Sequence, residues 1–416
     1  MEFDFLGRAF KGDKVIWCIF IALCIISLLA VFSATSTIAY RQQSHWAPIL
    51  RHAAFLLVGF AVVMFLQRVP TRFLSILLLG LPVSAILLLF TMFMGEDVNG
   101  AQRWLGVGAF TIQPSEFAKI SVIGFIAFFL SKMKPENEAW IFKALIIGVI
   151  VICALIAPEN LSTACLLFGV CMLMLIIGQV HFKRLLKIAL GGAALIGFLF
   201  LCLTLLPGRI VKDYFPDRLA TWKNRIEKHS ENQEGASIHD RNEDGTIAYK
   251  ITDDNYQVSH AKIAIANGGV IGLPGSGTER DFLPQAYSDF IFAIILEEMG
   301  LSGGLFVLLL YVALMIRCGV LASKCEKKFP RYLILGTGLI LTVQALTNMA
   351  VAVNLIPVTG QPLPLISRGG TSTIITCAYF GIILACSSRL NDSNHEDVDE
   401  SIANVDFETF DEATAR

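Results

Sequence analysis

The chain of 416 residues predicts an all-α protein embedded in a membrane. Three observations carry that expectation. Hydrophobic residues make up 55% of the chain and charged residues only 16%, where a soluble domain averages about 25% charged. The apolar residues come in long runs, many near the roughly 18 residues that mark a helix crossing a bilayer. The basic residues gather in alternate short loops between those runs. A mean hydropathy of +0.65 agrees.

Ten runs read as spanning helices: 15–34, 49–66, 73–94, 117–130, 140–157, 161–178, 188–206, 290–316, 332–353 and 372–388. The first ends in Ser33-Ala34-Thr35-Ser36, which resembles a signal-peptide cleavage region, but nine further spans make it a retained anchor. The run 117–130 is short. It must borrow length from the polar residues before it, so its outer end is expected to line a protein-covered cavity.

The basic loops set the orientation. Residues 1–14 form a short N-terminal segment with Arg8, Lys11 and Lys14. Arg68 and Arg72 follow, then Lys132 and Lys134, then Lys183, Arg184 and Lys187, then Lys324, Lys327, Lys328 and Arg331. Alternate loops hold little beyond Arg41, Arg103 and Arg368. Both termini are therefore expected in the cytoplasm, around one membrane domain over 15–390.

Two segments do not belong in lipid. The first, 207–288, is a long loop between the seventh and eighth spans, on the outer side. Its middle, 227–254, is polar and reads as mobile. Its end, 256–267, has helical spacing and runs into Gly268, Gly269, Gly272, Gly275 and Gly277. Those glycines lack the Gly-Lys-Ser/Thr ending of a nucleotide loop and read better as a hinge. The second segment is the tail 391–416, with nine Asp or Glu against one arginine; it reads as acidic, disordered and cytoplasmic. The ten cysteines lie in or beside spans, and none has metal-ligand spacing.

Charge in such a chain is placed sparingly, so three polar islands are the candidate sites. In the first, Arg103 precedes Gln113-Pro114-Ser115-Glu116, a helix start with proline in the first turn and a carboxylate at the positive end of the dipole. Glu116 and Lys119 stand three apart, share a helix face and can pair. The second island holds Tyr287-Ser288-Asp289-Phe290. Asp289 has no basic neighbour in sequence, and partial desolvation there suits a general base working near neutral pH. Glu297 and Glu298 follow near a kink expected at Gly300 and Gly303-Gly304 and read as hydrogen-bonded structural carboxylates. The third island, 357–372, holds three prolines and three glycines with Ser367 and Arg368. It reads as a rigid non-helical segment at membrane depth, with Arg368 placed to meet a phosphate, a carboxylate such as Asp289, or lipid headgroups.

Taken together, NGAQRWLG with QPSEFAK, then LPQAYSDFIFAIILEEMG, then GQPLPLISRGGTS resemble the SEDS family (shape, elongation, division, sporulation) of bacterial peptidoglycan polymerases. The resemblance runs over 15–389 and is strongest to the division-type members, of Bacteroidetes type. It implies a ten-helix glycosyltransferase that joins lipid II into glycan strands at the outer face of the bacterial inner membrane, at the division septum. Asp289 would be the catalytic base, Arg103 a cavity arginine, and Glu116 with Lys119 the paired charges beneath the site. Gln113, Ser367 and Arg368 would line the cavity. The implied partners are a class B penicillin-binding protein and other division membrane proteins, with no nucleic acid. A divalent cation, Mg or Mn, on the diphosphate is compatible with this chemistry, though no ligand cluster demands one.

Two departures stand out. Asn160 occupies the place of a family aspartate, and Arg368 stands in the family's Ser-Tyr-Gly-Gly. Within the family the alternative is an elongation-type polymerase. Outside it, the polar cavity would suit a lipid II flippase, and the acidic tail a non-catalytic division scaffold.

Overall fold

The structure, a computed structural model, describes residues 10–34, 47–94, 96–97, 102–107, 110–205, 256–272, 277–279, 282–283 and 287–390. The loop middle 227–254 and the tail 391–416 lie outside these, and of Arg103 the backbone alone is described.

In chain order the helices are α1 (Lys14–Ala34), α2 (Ala47–Leu66), a 3-10 segment Thr71–Ile76 running into α3 (Leu77–Met94), α4 (Pro114–Lys132), α5 (Glu138–Ile156), α6 (Leu161–Ile177), α7 (Phe182–Leu205), α8 (Tyr256–Gly268), α9 (Ile291–Lys324), α10 (Lys328–Ala352) and α11 (Gly370–Leu390). Among the described residues, eight helices are long and apolar enough to cross a membrane, and α6 is a shorter apolar helix of 17 residues. With α7, a helix stands at each of the ten expected positions. The short run 117–130 gains its length as expected: α4 begins at Pro114, capped by Gln113 in extended conformation.

Helix burial sorts the bundle. α4, α10 and α11 are buried along most of their length, while α2, α3 and α5 bury only a minor share of theirs. α4 packs on α3 and α10, and α9 packs on α10, α8 and α1. An apolar perimeter around a core of three helices is the pattern of a chain whose outer solvent is lipid.

Between α3 and α4 the first island folds as a small antiparallel sheet: β1 (Glu96–Asp97), β2 (Gln102–Val107) and β3 (Phe110–Ile112). Val107 pairs with Phe110 across a two-residue connection, Gly108-Ala109, and Leu105 pairs with Ile112. Sequence reading had only a polar island here. The missed signal is a two-residue glycine turn flanked by the strand formers Val107, Phe110, Thr111 and Ile112.

α9 is not one straight rod. Gly300 sits at φ 67° and breaks it into Ile291–Met299 and a longer run beyond. A φ of 67° joined to a ψ of -173° is backbone that essentially only glycine adopts, and a Cβ there would stand 2.5 Å from the backbone nitrogen of Gly272. The loop after α8 fills this break. Leu301 and Ser302 donate their backbone N–H groups to the carbonyls of Gly269 and Val270 at 3.0 and 3.1 Å. Gly268 in turn lies flat against the Leu296 carbonyl, where any side chain would collide. At Gly268, Gly272 and Gly300 the backbones pack too closely to admit a side chain.

At the opposite end of α9 the chain start is tied down. The Asp13 carboxylate accepts the N–H groups of Val15 and Ile16 at 3.0 and 3.1 Å, capping α1. It also binds the Arg317 guanidinium, with Nε at 2.9 Å.

Candidate active site

The third island, between α10 and α11, is non-helical, with Leu365 at φ 67° and Gly360 at φ 67°. Backbone at this depth must find its hydrogen bonds inside the protein. Side chains of three helices supply them. Gln344 of α10 donates to the Pro362 carbonyl at 3.0 Å, and Asn348 to the Gln361 carbonyl at 2.8 Å. Ser27 of α1 donates to Leu365 and Ile366, and Tyr311 of α9 to Pro364. His52 of α2 sits behind Ser27 at 2.7 Å.

The second island is held against the third. Arg368 donates its backbone N–H to the Tyr287 carbonyl at 2.9 Å, and Ser367 its hydroxyl to Ser288 at 2.7 Å. Asn348 donates to the Asp289 carbonyl at 2.9 Å. Asp289 therefore stands in a pinned turn just before α9, half-buried, with the Ser288 hydroxyl 2.9 Å from its Oδ1. A carboxylate at a helix N-terminus is favoured by the helix dipole.

The first island reaches the same place from below. Glu116 and Lys119 form an ion pair of 2.7 Å, both buried. Lys119 also donates to Gln344 Oε1 at 2.8 Å. Gln344 and Asn348 are four apart on α10, so one helix face binds Lys119, the third island and the Asp289 backbone. All three islands meet on that face.

A fourth segment joins through Gln361, which donates to the Thr163 hydroxyl. Asn160 caps α6 by accepting the Thr163 N–H at 3.2 Å. Capping needs an oxygen and not a charge, so this role survives the change from aspartate.

Arg368 is placed differently from one of its expected roles. Its guanidinium lies over the Tyr287 ring, 5.3 Å from the centroid, and among the described residues it makes no ion pair with Asp289. Burial, the largest effect, lowers its pKa; Tyr287 opposes this, and the Arg51 charge adds a lesser push in the same direction as burial. A half-buried cation facing another cation suits an anionic ligand.

Glu297 accepts the backbone N–H groups of Thr278 and Glu279 at 2.8 and 2.9 Å, and Glu298 accepts from Ser33. Glu297 thus docks the loop after α8 onto α9, while Glu298 ties α9 to the end of α1. Gln113 sits at the start of α4, and Ser367 is committed to Ser288 and the Leu363 N–H. Among the described residues no three His, Cys, Asp or Glu side chains come together to hold a metal, so the donor set fits no resident ion and no step is assigned to one.

Sequence reading missed Gln344, Asn348, Gln361, Thr163, Ser27 and His52. They are uncharged or weakly charged side chains inside or beside apolar runs. The available signal was two amides, Gln344 and Asn348, one turn apart within a span.

A family model described as "Cell cycle protein" and covering FtsW, RodA and SpoVE matches residues 13–392. A probable peptidoglycan glycosyltransferase FtsW of Enterococcus hirae is 29% identical over 401 residues, covering 91% of this chain and 94% of the relative. Stage V sporulation protein E of Bacillus subtilis is 28% identical over 386 residues, covering 90% and 96%. Among solved structures, a peptidoglycan synthase complex that coordinates polymerization and crosslinking contains a chain with TM-score 0.69 at 21% identity, covering 91% and 98%. The rod shape determining protein RodA of Thermus thermophilus gives 0.63 at 20% identity, covering 91% and 97%. The match over nearly the whole chain, with the same fold in solved structures, makes this chain a multi-pass membrane protein of the FtsW/RodA/SpoVE family.

Proposed function

We propose that the chain is a peptidoglycan glycosyltransferase that polymerises lipid II at the outer face of the cytoplasmic membrane during septal wall synthesis. The observation that supports this reading is the pinned turn of Asp289, held by Asn348, Ser367 and Arg368 against the non-helical segment between α10 and α11. The relatives named for this activity match over nearly their full length.

The chemistry follows from that placement. A sugar hydroxyl of one lipid II attacks the anomeric carbon of another, with inversion. The new C–O bond forms as the bond to the diphosphate breaks, Asp289 takes the hydroxyl proton, and undecaprenyl diphosphate leaves with the electron pair. Arg368, which makes no ion pair among the described residues, is suited to the charge that develops on the diphosphate. The buried Glu116–Lys119 pair supports the floor through Gln344 and positions it, touching no reacting atom in this scheme.

A class B penicillin-binding protein is the partner proposed to crosslink the product, in keeping with a solved relative that belongs to a synthase coupling polymerization and crosslinking. The division role rests on the many relatives named FtsW.

The test is glycan polymerisation from purified lipid II, with and without a cognate penicillin-binding partner, comparing wild type with Asp289→Asn. Polymer from wild type and none from a folded variant is expected. Equal polymer from both would remove Asp289 as the base, and no polymer from either with the partner present would turn the assignment to a flippase or scaffold.

A further inference from the structure

Beyond its break at Gly300, α9 runs Leu301–Lys324, roughly 36 Å at 1.5 Å per residue. Its far end therefore lies at the opposite membrane face, the one that the basic loops assign to the cytoplasm. A cavity of about 870 Å³ opens there, between the start of the 3-10 segment, the α9–α10 connection and the end of α11. Arg72, Lys324, Lys327 and Arg389 line it, against the single acid Glu326.

Cations in cytoplasmic loops and at helix C-termini are ordinary. Their convergence on one cavity is a different matter, because they come from separate segments of the chain. Nor are they neutralised: among the described residues none of the four makes an ion pair. Two other cations in inside-facing positions are paired. Arg317 binds Asp13, and Arg184 binds Glu138 at 3.2 Å. Beneath the charged rim the cavity is lined by buried Cys325, Cys386 and Pro330. A cationic rim over an apolar floor, at the level of the membrane surface, has the chemistry of a lipid headgroup site.

We propose that this cavity binds the phosphates of an anionic membrane lipid, with a doubly charged headgroup such as that of cardiolipin fitting best. Its volume is that of a pocket for a molecule much larger than one phosphate ion, and four cations from three sides can serve two phosphates at once. The site is independent of the glycosyl-transfer chemistry at the other end of α9.

The experiment uses the full chain purified in detergent. Thermal unfolding is followed while cardiolipin, phosphatidylglycerol, phosphatidylcholine or inorganic phosphate is added. Cardiolipin is expected to raise the midpoint saturably, more than phosphatidylglycerol, with phosphatidylcholine and free phosphate inert. Two variants are compared, one with R72Q, K324Q, K327Q and R389Q together and one with K324E and K327E. Each should unfold as wild type without lipid and bind cardiolipin about tenfold more weakly or worse, while a K132Q/K134Q control on another loop keeps full affinity. Equal loss in the control would reduce the effect to general surface charge and overturn the site. An equal response to free phosphate would overturn the lipid as its source. Binding seen only after truncation beyond Leu390 would assign the cavity to the chain's own acidic tail instead.

Discussion

Asn348 uses one amide nitrogen twice, for the carbonyls of Asp289 and Gln361. Both acceptors are left without that donor in Asn348→Ala, at a cost of about 1–3 kcal/mol for each unsatisfied group that stays dry. Polymerisation is expected to fall at least tenfold while the protein remains folded, which lipid II turnover and a thermal melt measured together will check. Lys119 makes the companion case. Lys119→Met strands the Glu116 carboxylate in a dry interior, costing about 3–5 kcal/mol. Adding Glu116→Gln should restore most of that stability, so the double variant melts near wild type and the single one well below. At this scale the charged residues of the site were legible in the sequence, because charge in an apolar chain is conspicuous. The amides that join them were not, since a lone Gln or Asn inside a span looks like any tolerated polar residue until its partners are known.

Elements were legible where hydropathy alone decides them. All ten apolar runs carry helices, and α8 begins at Tyr256, where helical spacing begins. The β1–β3 sheet was hidden because its strands are too short for alternation to show. The break in α9 was legible as a kink at Gly300, a glycine inside an apolar run; the distant loop that fills it was not, because no local pattern displays a contact that far along the chain. Gly300→Ala must place a methyl group at φ 67° and against Gly272, which is expected to cost about 1–2 kcal/mol in backbone strain alone. Hydrogen exchange is the measurement to make: Tyr256–Gly268 should lose protection in this variant while α10 keeps its own.

On the scale of the whole molecule, the N-terminal segment and the far end of α9 are joined through Asp13 and Arg317. Burial alone would raise the Asp13 pKa, but the Arg317 hydrogen bond and charge, with the Val15 and Ile16 amides, bring it below its ordinary 3.8. A carboxyl whose folded pKa is depressed stabilises the fold above its unfolded pKa and loses that contribution as pH falls through the folded one. Thermal midpoints between about pH 7 and pH 3 should therefore drop more steeply in wild type than in Asp13→Asn. An unchanged slope would mean that the pair contributes nothing to stability.

The break at Gly300 bears on how force passes through the bundle. An unbroken helix is a stiff lever, so any tilt imposed on Asp289 by a growing strand would be felt at Arg317 and Lys324. With the joint in place, the carboxylate rides on a handle of nine residues, Ile291–Met299, clasped by the loop after α8. On the proposed function, a product pulling on that handle would meet a break in the rod before the long shaft beyond it. One residue with no side chain would then separate the proposed catalytic end from the far end of α9.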